Sequence, residues 1–143
     1  MLDGITSTNN DKGLDAVSLG GASVIITGSH FDDNDTNGIS IDAEDAEVTV
    51  ISTSVNRNSS IRFYMPYQTT KLTLLMVEVI DNSGDGLFLI DGVATKQIRN
   101  SRFCGNGEED IRKIFSTGES VSSLLGRVIC DDTNLSGGCD CTY

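Results

Sequence analysis

Apolar residues recur along this chain with two periods at once. Within short stretches they alternate with polar residues, as at Val24 and Ile26, Val48 and Val50, or Leu72 and Leu74, and the stretches return every 24 residues, with Lys96 and Ile98 closing those rows. Alternation by twos predicts strands rather than helices, so each unit holds several short strands separated by turns. The stretch VIITGSHFDDNDTNGISI (24–41) sets the pattern. Its Asn34 has counterparts in phase at Asn10, Asn58, Asn82 and Asn106. Three residues before each stand Phe31, Val55, Val79 and Phe103. Five residues after come Ile39, Phe63, Leu87 and Ile111, and seven after come Val17, Ile41, Met65 and Leu89.

A unit this short cannot bury its own apolar face, so successive units must stack and share one core. A leucine-rich repeat would need a regular leucine pattern that is missing, and a propeller blade a longer period. The expected fold is an all-β, right-handed parallel β-helix of about five 24-residue coils: a less regular one over 2–19, then 22–45, 46–69, 70–93 and 94–115. In the first coil Leu14 and Ala16 compete with Asp15 and Val17 for inward positions. The expected division is coils over 1–115 and a cysteine-containing cap over 116–143, because an open end would expose strand edges and core. In-phase residues of adjacent coils then lie ~4.8 Å apart. Five asparagines at that spacing can pass amide hydrogen bonds up the stack, and asparagine tolerates the left-handed backbone of tight bends.

Length and composition narrow the function classes. The 143 residues carry 10 Lys and Arg against 21 Asp and Glu, a formal charge of −11, which disfavours nucleic acid and anionic membrane as partners. No apolar run is long enough to span a membrane. The beginning, LDGITSTNN, already reads as mid-repeat sequence, so further coils are expected upstream. Cys104 lies in the last clear repeat and Cys130, Cys139 and Cys141 crowd the end. An even count, with Asn58 and Asn134 in glycosylation sequons, points to disulfides and an extracellular or cell-surface setting, although Asn58 as a ladder member is a poor acceptor.

The rows of the stack also sort the candidate chemistry. Six residues after each ladder asparagine come Ser40, Tyr64, Phe88 and Arg112, flanked by inward positions and so pointing outward. Tyr64 and Phe88 as neighbours would form a platform for sugar rings, with Arg62 and Arg112 near enough to contact carboxylates or hydroxyls. One residue before the asparagines, Arg57 stands between Asp33 and Asp81 as a charge ladder. His30, Ser54 and Glu78 share a row, but Ser54 lies between the other two, whereas a catalytic triad needs the histidine in the middle. Glu78 with Arg102 reads as a surface ion pair. The acidic turns (Asp32, Asp33, Asp35; Asp81, Asp85) would suit calcium as the one cofactor, yet match no calcium-loop spacing. No metal ligands and no catalytic residues are therefore assigned.

The motifs VIITGSHFDDNDTNGISI, VTVISTSVNRNSSIRF, LTLLMVEVIDNSGDGLFL and IRNSRFCGNGEEDIRK resemble the right-handed parallel β-helix of the pectin lyase-like superfamily over about residues 2–115. That resemblance implies three sheets per coil. Gly38–Ile41 would lie in the first, the Ile26 column in the second and the Phe31 column in the third. It also implies polysaccharide lying along the first sheet. The resemblance would bring the lyases' aspartate-held calcium with a basic residue, or the polygalacturonases' paired aspartates with Gly-His-Gly-like and Arg-Ile-Lys segments. Asp32-Asp33 is the only adjacent pair of aspartates inside the repeats, His30 precedes it without that glycine context, and no Arg-Ile-Lys occurs. The expected function is thus a noncatalytic extracellular module binding polysaccharide or a cell-surface glycan, or serving structurally. The alternative is a fragment of a polysaccharide lyase or glycoside hydrolase whose catalytic coils lie upstream.

Overall fold

Three parallel sheets wind around one apolar core. The structure, a computed structural model, describes residues 1–65, 71–91, 95–115 and 125–130. One sheet stacks β1 (Leu2–Asp3), β4 (Ser23–Thr27), β7 (Glu47–Ile51), β9 (Lys71–Leu75) and β12 (Thr95–Cys104). A second, the one that the resemblance numbers first, stacks β3 (Leu14–Gly20), β6 (Asn37–Glu44), β8 (Ser60–Met65), β11 (Leu87–Asp91) and β13 (Ile111–Phe115). On the third side, β2 (Thr6–Thr8) pairs β5 (His30–Asp32), and bridges through Ser54 lead to β10 (Glu78–Ile80) and the end of β12. The described residues contain no helix and make about four turns, the four 24-residue steps from Asn10 to Asn106.

The columns are continuous along the stack. Val24, Val48, Leu72 and Lys96 are in register, as are Ile26, Val50, Leu74 and Ile98. Phe31, Val55, Val79 and Phe103 line the third side, and these four are fully buried with Ile26, Val48, Val50, Leu72 and Leu74. β-Branched and leucine side chains stacked at strand spacing bury the surface that a single coil would leave exposed.

Corners repeat as strictly as strands. Left-handed backbone occurs at Asn9, Asp33, Arg57, Asp81 and Gly105, at Gly4, Gly28, Ser52, Met76 and Asn100, and at Gly21 and Asp45, each set in 24-residue steps. The ladder asparagines are therefore not the left-handed residues, contrary to expectation. The residue before each takes that conformation, which frees the asparagine to aim its amide along the axis. Met76, with φ of 54° and 49% exposure, occupies a conformation costly for a bulky residue and contributes little packing there. Met76→Gly is expected to raise stability by ~0.5–1 kcal/mol in thermal unfolding, the strain relieved outweighing the entropy of glycine. A lower melting temperature would show that the corner holds no such strain.

Two registers differ from the 24-residue expectation. In the second sheet, Ile39 pairs with Ile61 rather than Phe63, and Leu87 and Ile111 continue that row. The turn after Asn58 holds only Ser59 and Ser60 before the strand's first inward residue, where Asn34 is followed by Asp35, Thr36, Asn37 and Gly38. A shift of two leaves every side chain on its original face, so the alternation survives and hides it. In the first coil Leu14 pairs with Ile39 and Ala16 with Ile41. Leu14 and Ala16 pack against the core, and Val17 is 61% exposed instead of inward.

Beyond β12 the stack continues. β14 (Leu125–Cys130) pairs with it in parallel, Ile98 opposite Leu125 and Phe103 opposite Cys130. The expected cap includes this strand. Its remaining residues, 116–124 and 131–143, with Cys139, Cys141 and Asn134, lie outside the described residues.

Candidate functional site

The asparagine row forms a continuous hydrogen-bonded chain. Asn34 Oδ1 accepts the Asn10 backbone N–H at 3.2 Å. Asn58 Oδ1 accepts from both the backbone N–H and Nδ2 of Asn34, at 2.9 and 3.0 Å. Asn82 Oδ1 accepts from Asn58 at 2.9 and 3.3 Å, and Asn106 Oδ1 from Asn82 at 3.1 and 2.9 Å. Each inner Nδ2 also donates to backbone carbonyls, as Asn58 does to Phe31 O and Asn56 O. The row satisfies turn groups that no strand could reach, and its role is structural.

A second inward row escaped notice in the sequence. Ser29 Oγ donates to Thr27 O at 2.8 Å and accepts the Ile5 N–H at 3.1 Å, and Ser101 repeats this with Arg99 O and the Val77 N–H. Thr53 Oγ1 donates to Ile51 O. The 24-residue spacing of Ser29, Thr53 and Ser101 was the available signal, diluted by Ile5 and Val77 in the same phase.

Along the third side, His30 Nδ1 lies 2.8 Å from Ser54 Oγ, which is also 3.0 and 3.1 Å from the two Asp32 oxygens. The serine has one proton, and the ionised carboxylate can only accept, so His30 donates to Ser54 rather than withdrawing its proton. In this arrangement Asp32, not His30, accepts the Ser54 proton. Glu78 accepts from Asn56 Nδ2 at 3.3 Å and stands in register with Arg102. Asp33 binds Arg57 through two hydrogen bonds of 2.6 and 2.8 Å, and that partner holds its carboxyl below the ordinary range. Asp33 raises the guanidinium's pKa most, and the charges of Asp32 and Asp81 add to that field. Asp32 and Asp33 are thus engaged by protein donors, and no group of three or more His, Cys, Asp or Glu assembles for a metal among the described residues.

The outer face of the second sheet carries the aromatic and basic residues. Phe88 is in register with Arg62 on one side and Arg112 on the other, while Tyr64 is opposite Asp42 and Ile90. The expected row Ser40, Tyr64, Phe88, Arg112 is corrected to Asp15, Ser40, Arg62, Phe88, Arg112 by the two-residue shift in β8. Tyr64 and Phe88 remain on one face of adjacent strands but are offset by two residues, which separates their Cα atoms by ~8 Å. Arg112 lies over the Phe88 ring, 5.4 Å from its centroid, within cation–π range. Its Nη1 is 3.2 Å from Glu108 Oε2 and 3.6 Å from Asp85 Oδ2.

Electrostatics differ between the two ends of this face. Burial pushes the Asp85 carboxyl above its ordinary value, opposed by the Glu109 N–H and by Arg112. At the other end Lys12 Nζ lies 2.7 Å from Asp15 Oδ2, and this hydrogen bond holds the Asp15 carboxyl below its ordinary value, with lesser pulls from Ser40 and Arg62. The face can therefore offer aromatic surface, donors and acceptors to a ligand in one strip.

These stacked parallel coils define a β-solenoid. The chain belongs to the right-handed β-helix family, whose description, right handed beta helix region, matches residues 3–123. The family agrees with the resemblance to the pectin lyase-like superfamily and establishes a β-helix module. No curated protein and no solved structure gives a significant match to the chain.

Proposed function

We propose that this β-helix is a noncatalytic extracellular module that binds a polysaccharide or cell-surface glycan on the outer face of its second sheet. The observation that supports it is the placement of Phe88 between Arg62 and Arg112, with Tyr64 on the same face one strand away. Aromatic rings offer C–H stacking to pyranose rings, and the flanking guanidinium groups offer donors to ring hydroxyls. Ser54, the nearest thing to a nucleophile, is on another side of the coil, its hydroxyl held by Asp32. Affinity electrophoresis of the protein in gels containing single polysaccharides tests the reading. The variant Tyr64→Ala with Phe88→Ala should lose retention while unfolding no more than ~1–2 kcal/mol below the parent. Unchanged retention by that folded variant would rule out this face.

The extracellular setting rests on the cysteines. Cys104 is buried at 5% exposure and follows Phe103, the register partner of Cys130. A Cys104–Cys130 disulfide would tie β14 to the stack. Thiol labelling of protein made in an oxidising compartment should leave both cysteines unmodified until reductant is added. Labelling of Cys104 or Cys130 in unfolded, unreduced protein would argue against the pairing and the compartment.

A further inference from the structure

We infer that the glycan accepted by this face is electrically neutral rather than a polyuronate or sulfated chain, an inference that rests on the carbohydrate-binding reading above. Among the described residues three cations belong to the face, Lys12, Arg62 and Arg112, against five carboxylates, Asp15, Asp42, Glu44, Asp85 and Glu108. Lys12 is bound to Asp15 at 2.7 Å. Arg112 stands between Glu108 and Asp85, at 3.2 and 3.6 Å, with its guanidinium over the Phe88 ring. An anionic sugar ring arriving at Phe88 from that side would have to displace the two carboxylates from Arg112 or lie beside them. Asp85 is mostly buried with that arginine as its ion partner, so losing it would strand a carboxylate away from water.

Arg62 remains as the cation best placed to meet a ligand, but its own row leads through Ser40 to Asp15. Asp42 is one strand away, opposite Tyr64. Both carboxylates lie within or near a Debye length of ~8 Å, so salt does not hide them from a charged group bound at Arg62. The whole chain adds a formal charge of −11 that repels a polyanion on approach. A neutral sugar meets none of these costs. Its hydroxyls donate to Asp15 and Asp42 and accept from Arg62, while its C–H face covers Phe88 or Tyr64.

The test compares immobilised neutral polymers (a β-glucan, a galactan, an arabinoxylan) with polygalacturonate and alginate, at low and at high sodium chloride. Retention on a neutral polymer, scarcely changed by salt, with none on the polyuronates, is the expected result. Retention on a polyuronate that weakens as salt rises would overturn the inference while leaving the carbohydrate reading intact. Retention on no polymer of either class would instead remove the carbohydrate reading, and this inference with it. A second arm uses Asp85→Asn with Glu108→Gln, which frees Arg112 without touching Phe88. That folded variant should gain roughly tenfold or more in polyuronate retention at low salt, as expected when a like charge is removed beside a binding cation. No gain would show that these two carboxylates do not set the charge preference.

Discussion

Replacing Asn58 with leucine is expected to lower unfolding stability by ~3 kcal/mol or more, against less than ~1 kcal/mol for Asn10→Leu. Asn58 Oδ1 is the acceptor for the Asn34 backbone N–H at 2.9 Å, and its Nδ2 donates to Phe31 O at 2.8 Å and Asn56 O at 3.0 Å. Leucine has a similar volume but leaves these three backbone groups without that partner inside the turn. Each buried group so abandoned costs ~1–3 kcal/mol. Asn10 sits at the exposed end, where its Nδ2 contacts Ser7 Oγ and Thr8 O and water can replace both. Urea unfolding of the two variants checks the difference. Equal midpoints would mean that the row contributes nothing beyond exposed turn contacts.

The ladder was legible because every coil presents the same problem, turn groups that need an amide at strand spacing, and solves it with the same residue. The three-sided stack was legible for a similar reason, since Ile26, Val50, Leu74 and Ile98 must all face one core. What a fixed period could not reveal is a compensated change of turn length. The turn after Asn58 is two residues shorter than its neighbours, and because Ile61, Phe63 and Met65 are all apolar at alternate positions, either register looks equally good. Only contact between strands decides it, and it moved Tyr64 from beside Phe88 to a diagonal position. The left-handed corners were missed differently. Arg57 and Met76 have no chemistry that favours that backbone, so their conformations follow from the coils above and below rather than from propensity. β14 was hidden by spacing, since Leu125 lies 27 residues after its partner Ile98. The neutralisation of Arg112 depends on Glu108 and Asp85, residues in two successive turns whose side chains only the fold brings to one guanidinium.

Gly38→Ala is expected to be almost as damaging as loss of the ladder, about 3 kcal/mol, although it adds a single methyl group. A Cβ at Gly38 would run into Val55 Cγ1 and would lie 2.6 Å from Asn58 Nδ2. Val55 is fully buried in the third-side column and Asn58 is fixed by its hydrogen bonds, so neither can withdraw cheaply. The methyl group must therefore displace the start of β6, whose next residue, Ile39, is itself fully buried. Gly20→Ala provides the contrast, because nothing lies within 4 Å of a Cβ there and its φ is not left-handed. That variant should be neutral or slightly more stable, by up to ~0.5 kcal/mol, through reduced freedom of the unfolded chain. A double-mutant cycle with Val55→Ala separates the causes. If collision with Val55 dominates, Gly38→Ala should cost at least ~1 kcal/mol less in the Val55→Ala background, since two changes that share a contact do not add. Full additivity would locate the damage at Asn58 instead, and a harmless Gly38→Ala would show that the close approach of this turn to the next coil is not required.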